Sequence, residues 1–124
     1  MQKILLLGLA GGLGALSRYF LAGLVHRVLP SGFPWGTVAV NITGCLAAGF
    51  LWAFFETRYP VSGQTRAVIM VGFMGAFTTF STFILETGEL FRSSQWLPAL
   101  FNLAFQNGVG LCALVAGAAL CRLL

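Results

Sequence analysis

Four apolar stretches, each long enough to cross a bilayer, leave this chain little choice of fold. They run over about Ile4–Val25, Gly36–Phe55, Arg66–Phe91 and Gln95–Leu120. A helix needs roughly 20 apolar residues to span the hydrocarbon core. The first two connections carry helix breakers: Pro30, Gly32 and Pro34, then Pro60 and Gly63. Only 8% of the 124 residues are charged, against about 25% in a soluble domain. That is too little polarity to cover a water-facing surface, so lipid must be the solvent. No stretch alternates apolar and polar residues, which argues against a β-barrel. The sequence therefore predicts an all-α, multi-pass membrane protein, a single four-helix transmembrane domain over residues 1–124.

The remaining composition removes other classes. A net charge of +4 is spread over single Lys and Arg residues with no stripe to track phosphates, so no nucleic-acid partner is expected. Cys45, Cys112 and Cys121 lack metal-ligand spacing and read as small packing residues. Met1-Gln2-Lys3 leads straight into an apolar run with no cleavage-like site before a polar domain, so it opens the first membrane helix. Four crossings place both termini on one side, with Lys3, Arg58, Arg66 and Arg122; Arg27 and Arg92 lie on the other. So slight a positive bias permits insertion in both orientations. Small residues four apart, Gly8/Gly12 and Ala113/Gly117/Cys121, predict close helix packing. Four short helices scarcely enclose a polar path, which points to an oligomer.

Strongly polar side chains at membrane depth are costly and therefore candidates for function. Arg18, well inside the first helix, either snorkels to the interface or acts as a buried cation that braces the bundle or draws anions to a vestibule. Asn41 either ties helices together or offers its two N–H donors to an anion. Asn102 and Gln106 are four apart on one face of the last helix, with Asn107 beside them. They either face a pore or hydrogen-bond another helix.

The third helix is the most specific feature. Residues 72–83 read Gly-Phe-Met-Gly-Ala-Phe-Thr-Thr-Phe-Ser-Thr-Phe. Glycine loosens a helix, and hydroxyl side chains compete for its backbone hydrogen bonds. A break is expected between Gly75 and Thr79. Irregular backbone at this depth must be buried in protein or line a cavity, and freed carbonyls suit a hard cation such as Na⁺. Phe80 and Phe83 share one face, with Phe73 and Phe77 roughly continuing it. They are either ordinary core or lipid-facing aromatics, or rings whose positive edges weakly solvate a small anion. The hydroxyls of Ser81 and Thr82 would add stronger donors.

The run Gly75-Ala76-Phe77-Thr78-Thr79-Phe80-Ser81-Thr82-Phe83, followed by Glu86, resembles the signature of the Fluc (CrcB) fluoride channels. So do Gly11-Gly12-Leu13-Gly14-Ala15-Leu16-Ser17-Arg18 and Trp35-Gly36-Thr37-Val38-Ala39-Val40-Asn41. The resemblance spans the whole chain in order. It implies an antiparallel, dual-topology homodimer with two pores, passively exporting F⁻ that arrived as HF and dissociated in the cytoplasm. It assigns Phe80 and Phe83 to the pore, Asn41 as the pore amide, and Ser81 and Thr82 to the polar lining. Arg18 falls near a vestibule, and a structural, untransported Na⁺ falls on the carbonyls of Gly75 and Thr78 from both subunits. Ala76 and Ile84 depart from the pattern, where glycine and a hydroxyl residue are common.

Two other functions fit the composition less well. A small multidrug-type proton-coupled transporter needs a deep carboxylate in its first helix, where this chain has Arg18. A non-transporting assembly subunit would not need the hydroxyl-rich break. An enzyme is not expected, since no nucleophile, base and orienting group are arranged for one.

Overall fold

The computed structural model describes residues 1–124, and every regular element is helical. Helices α1 (Gln2–Val28), α2 (Trp35–Thr57) and α6 (Trp96–Leu123) are each continuous. The third crossing, Gly63–Arg92, is pieced together. It consists of α3 (Gly63–Ala67), a π-helical stretch over Val68–Met74, α4 (Gly75–Phe77) and α5 (Phe80–Arg92). Four segments are thus long and apolar enough to cross a membrane, in the order and near the bounds expected. The third starts earlier than expected because the Ser62 hydroxyl caps it, accepting from the Thr65 amide at 3.1 Å.

The molecule is nearly all exterior. Only 21 of 124 residues are buried, and Leu9, Leu13 and Leu16 on α1 remain more than half exposed. In water such a face would be a severe liability; in lipid it costs nothing, because acyl chains are as apolar as leucine. Association inside the bilayer must come instead from backbone proximity. Helices α2 and α6 form the most extensive contact of the bundle. At Gly49 an added Cβ would strike the Leu114 carbonyl, and at Gly117 the Leu46 carbonyl. The pairing is reciprocal, so the two backbones touch at two levels. The Ala113/Gly117/Cys121 spacing meant this contact, and Cys121 is buried beneath it.

The other small-residue pair behaves differently. Nothing lies within 4 Å of a Cβ built on Gly8 or Gly12. Helix α1 meets the third crossing through Gly14 instead, whose Cβ would strike the Phe73 carbonyl. Cys112 is exposed, so it does not pack within the chain as expected, whereas Cys45 is half-buried.

Helices α5 and α6 join through a tight turn. The Gln95 amide reaches back to the Leu90 carbonyl (2.8 Å) and the Ser94 amide to that of Phe91 (3.0 Å). This closure needs a left-handed residue, and Ser94 supplies it at φ 58°.

Candidate functional site

The break falls at Thr78 and Thr79, inside the expected window. Both are extended, at φ −80°, ψ 160° and φ −149°, ψ 115°. Local chemistry explains the position. The Thr79 hydroxyl caps α5, accepting from the Thr82 amide at 3.2 Å and donating to the Thr82 hydroxyl at 2.9 Å. The Ser81 hydroxyl lies 3.5 Å from that of Thr79.

What stabilises the break comes from α2. Asn41 Oδ1 accepts from the Thr79 amide at 2.9 Å, and Asn41 Nδ2 donates to the Thr79 carbonyl at 3.1 Å. One carboxamide thus pairs with both polar groups of one residue, as a neighbouring strand would. An unpaired backbone group at this depth costs several kcal/mol, which Asn41 averts. The diversion has a consequence for two carbonyls. In a continuous helix the Thr79 amide would close onto Gly75 and the Thr82 amide onto Thr78. Both amides are given elsewhere, so the carbonyls of Gly75 and Thr78 lose their helical partners.

Helix α6 completes the arrangement. Asn41 Nδ2 also donates to Gln106 Oε1 at 2.8 Å, Gln106 Nε2 to Asn102 Oδ1 at 2.9 Å, and Asn102 Nδ2 to Thr87 Oγ1 at 2.9 Å. Asn102, Gln106 and Thr87 are buried. Of the two readings of the α6 polar face, Asn102 therefore follows the interhelical one. Gln106 follows it too, while also bordering a cleft. Asn107 also borders that cleft but takes no part in this string of bonds: it is exposed, and its Nδ2 donates to the Leu103 carbonyl of its own helix at 2.7 Å.

That cleft, of about 410 Å³, is lined by Asn41, Thr78, Thr79, Phe80, Phe83 and Gln106 among others. Phe80 and Phe83 meet with ring centroids 5.8 Å apart and planes tilted by 55°. Phe83 is 4% exposed and Phe80 72%, so one ring is set in the bundle and the other reaches out of it. Phe73 and Phe77 do not continue this line. They stack on each other 6.0 Å apart on the other side of the break, and neither borders the cleft. The break redirects the chain, so helical spacing cannot be counted across it.

Asn41 follows the interhelical reading while also bordering the cleft. Its two N–H donors are not free for an anion, since Thr79 and Gln106 take both. Arg18 is half-buried on α1 with no carboxylate in reach; the one ion pair of the chain is Arg92–Glu89 at 3.0 Å. Sequence reasoning missed a polar pair midway along α5. The buried Thr37 hydroxyl donates to Glu86 Oε1 at 2.8 Å, and Glu86 borders a second cavity of about 320 Å³ with His26 and Glu89. A glutamate in an apolar run was the available signal. Thr87 gave none, since a lone threonine in a membrane helix usually bonds its own backbone, as Thr87 also does to Phe83.

A break clamped from a neighbouring helix, the threonines of that break and a phenylalanine pair meet in one cleft, while Ser81 and Thr82, expected in its polar lining, do not border it in the single chain. Residues 5–118 match the family model described as "CrcB-like protein, Camphor Resistance (CrcB)". The chain belongs to the CrcB family. Among similar CrcB relatives is a protein of Desulforapulum autotrophicum, 57% identical over 123 residues, covering 99% of this chain and 98% of the relative. A second, from Solidesulfovibrio magneticus, is 49% identical over 124 residues, covering 100% and 99%. A third, from Nitrosococcus oceani, is 47% identical over 116 residues, covering 94% and 93%. All three are named "Fluoride-specific ion channel FluC", a channel and not an enzyme. With four spans and this membership, the CrcB chain is a multi-pass inner-membrane protein.

Proposed function

We propose that this protein is a fluoride-selective channel that lets F⁻ leave the cytoplasm passively and so relieves fluoride toxicity. The observation that carries the reading is the clamped break, where hydroxyls, an exposed helix start and two phenylalanines converge on one cleft at membrane depth. The names of the relatives point the same way.

The chemistry suits a small, hard, strongly hydrated anion. The first residues of α5 are Phe80, Ser81 and Thr82. A helix start presents unbonded amides and the positive end of the helix dipole. Thr82 has spent its oxygen on accepting from Thr79 and keeps its own hydroxyl hydrogen to give. The edges of Phe80 and Phe83 add weak electropositive contacts. Weak sites in series allow an ion both to enter and to leave. Arg18, unpaired on α1, adds a cation that attracts anions toward a vestibule.

The cleft is incomplete in a single chain. Gly75, Phe80 and Ser81 are exposed at a depth where irregular backbone must be covered. A second copy of the chain, inserted in the opposite orientation, covers it, and the weak charge bias permits both orientations. The carbonyls of Gly75 and Thr78, stripped of their helical donors, are hard oxygen ligands that fit Na⁺. Supplied by both copies, they would hold a structural Na⁺ that neutralises the carbonyl dipoles at the break and is not transported.

The test is efflux from loaded liposomes containing purified protein. Fluoride is released and chloride is retained, and the fluoride flux is lost when alkali ions are replaced by a large organic cation. A folded protein that releases no fluoride overturns the channel reading. Undiminished flux without alkali ions removes the Na⁺ alone.

A further inference from the structure

The string of side chains from Asn41 to Thr87 has only one possible direction. The Thr79 amide can only donate, so Asn41 must turn Oδ1 to it, which leaves Nδ2 for the Thr79 carbonyl and for Gln106. Gln106 must then present Oε1, which sends Nε2 to Asn102. Asn102 must present Oδ1 and therefore donates from Nδ2 to the Thr87 hydroxyl. That hydroxyl gives its hydrogen to the Phe83 carbonyl at 2.7 Å, which can only accept. Both ends are backbone groups of the third crossing, so no carboxamide can be reversed without setting two donors or two acceptors face to face. Asn102 is 0% exposed, Thr87 3% and Gln106 7%, so water offers no alternative partners.

This polarity bears on the anion path. Asn41 borders the cleft with both N–H groups committed, one to a backbone carbonyl of the break and one to Gln106. Giving up the first would release the break. We propose that Gln106 is a positioning residue whose Oε1 holds the Asn41 N–H that a passing fluoride takes over. Asn102 and Thr87 keep Gln106 turned so that its oxygen, not its NH₂, faces Asn41. The inference rests on the fluoride-channel reading. Its physical effect is to keep the Asn41 site weak, because the ion must displace a neutral carbonyl and the carbonyl waits to return.

The chain contains three asparagines, Asn41, Asn102 and Asn107, so selective ¹⁵N-asparagine labelling yields three side-chain NH₂ pairs. Asn107 borders the same cleft but lies outside the string, bonded to its own helix, so its pair reports a fluoride that enters the cleft without engaging the string. Titrating sodium fluoride into reconstituted wild-type protein shifts the Asn41 and Asn102 pairs together, with the same half-saturation. Sodium chloride at the same concentrations shifts neither. Without fluoride, Asn102→Leu displaces the Asn41 signals. Gln106→Leu frees one N–H, so fluoride half-saturates at about fivefold lower concentration, the worth of one neutral hydrogen bond, while efflux slows. A merely structural role for Gln106 would weaken binding and flux together. If wild-type protein conducts fluoride but Asn41 moves without Asn102, or Gln106→Leu binds fluoride no tighter, the proposal falls and the channel stands. If Gln106→Leu does not fold, the wild-type titration and the Asn102→Leu spectrum decide. If wild-type protein carries no fluoride, the channel reading fails and takes this inference with it, whatever the fluoride-free spectra show of the string itself.

Discussion

Helix α6 and the third crossing both carry polar residues through the apolar core, and they do so in opposite ways. In α6 the backbone stays helical over Trp96–Leu123 and the polarity lies in the side chains of Asn102 and Gln106. In the third crossing the backbone opens at Thr78 and Thr79. The continuous helix is anchored by glycine contacts to α2 and extends carboxamides outward. The broken one receives them, directly at Thr87 and through Asn41 at Thr79. A backbone break at membrane depth thus depends on unbroken neighbours that supply its missing partners.

The largest expected effect lies on the broken side. Phe80→Ala and Phe83→Ala each abolish fluoride efflux while the protein still elutes as the wild-type assembly. Wild-type rates in both would remove the ring-edge account and leave the break as the sole functional element. Next comes the clamp. Asn41→Ala leaves the amide and carbonyl of Thr79 unpaired, lowering stability by about 3 kcal/mol in a denaturant titration in detergent and abolishing flux. A loss below about 0.5 kcal/mol, within the range of an ordinary surface change, would mean the break does not need α2.

The unbroken side is tested by Gly117→Val. Its added carbons drive into the Leu46 carbonyl, and overpacking of this kind costs about 1–3 kcal/mol. The same titration reads it, with flux reduced in proportion to the folded fraction rather than abolished. An equal loss of flux in folded protein would show that α6 is part of the path and not only its brace. The smallest effect is at the turn joining the two regions. Ser94→Gly relieves the left-handed strain at φ 58°, raising stability by roughly 0.5 kcal/mol with flux unchanged. A loss of stability there would show that the Ser94 hydroxyl matters more than its backbone.

Much of this was legible in the residues. A break near Gly75–Thr79 follows from Thr78 and Thr79 themselves, because a hydroxyl capping the next amides acts within one turn. The π-helical widening over Val68–Met74 left no comparable mark, and the phenylalanine line misled once the break had redirected the chain. Gly8 and Gly12 have the same spacing as Ala113 and Gly117, yet Gly117 meets the backbone of another helix and neither Gly8 nor Gly12 does. Spacing along one helix says that an approach is possible, not what approaches.

By itself the sequence determined that lipid is the solvent, that there are four crossings, and that the third cannot run unbroken. Each follows from composition or from chemistry acting over a few residues. Only the tertiary structure decided which donors meet which acceptors. Asn41 and Thr79 are 38 positions apart, and Asn41 and Gln106 are 65. Isolated, each carboxamide offers donors and an acceptor in either sense. Packed between the backbone groups of Thr79 and Phe83, only one sense satisfies every polar atom in the string.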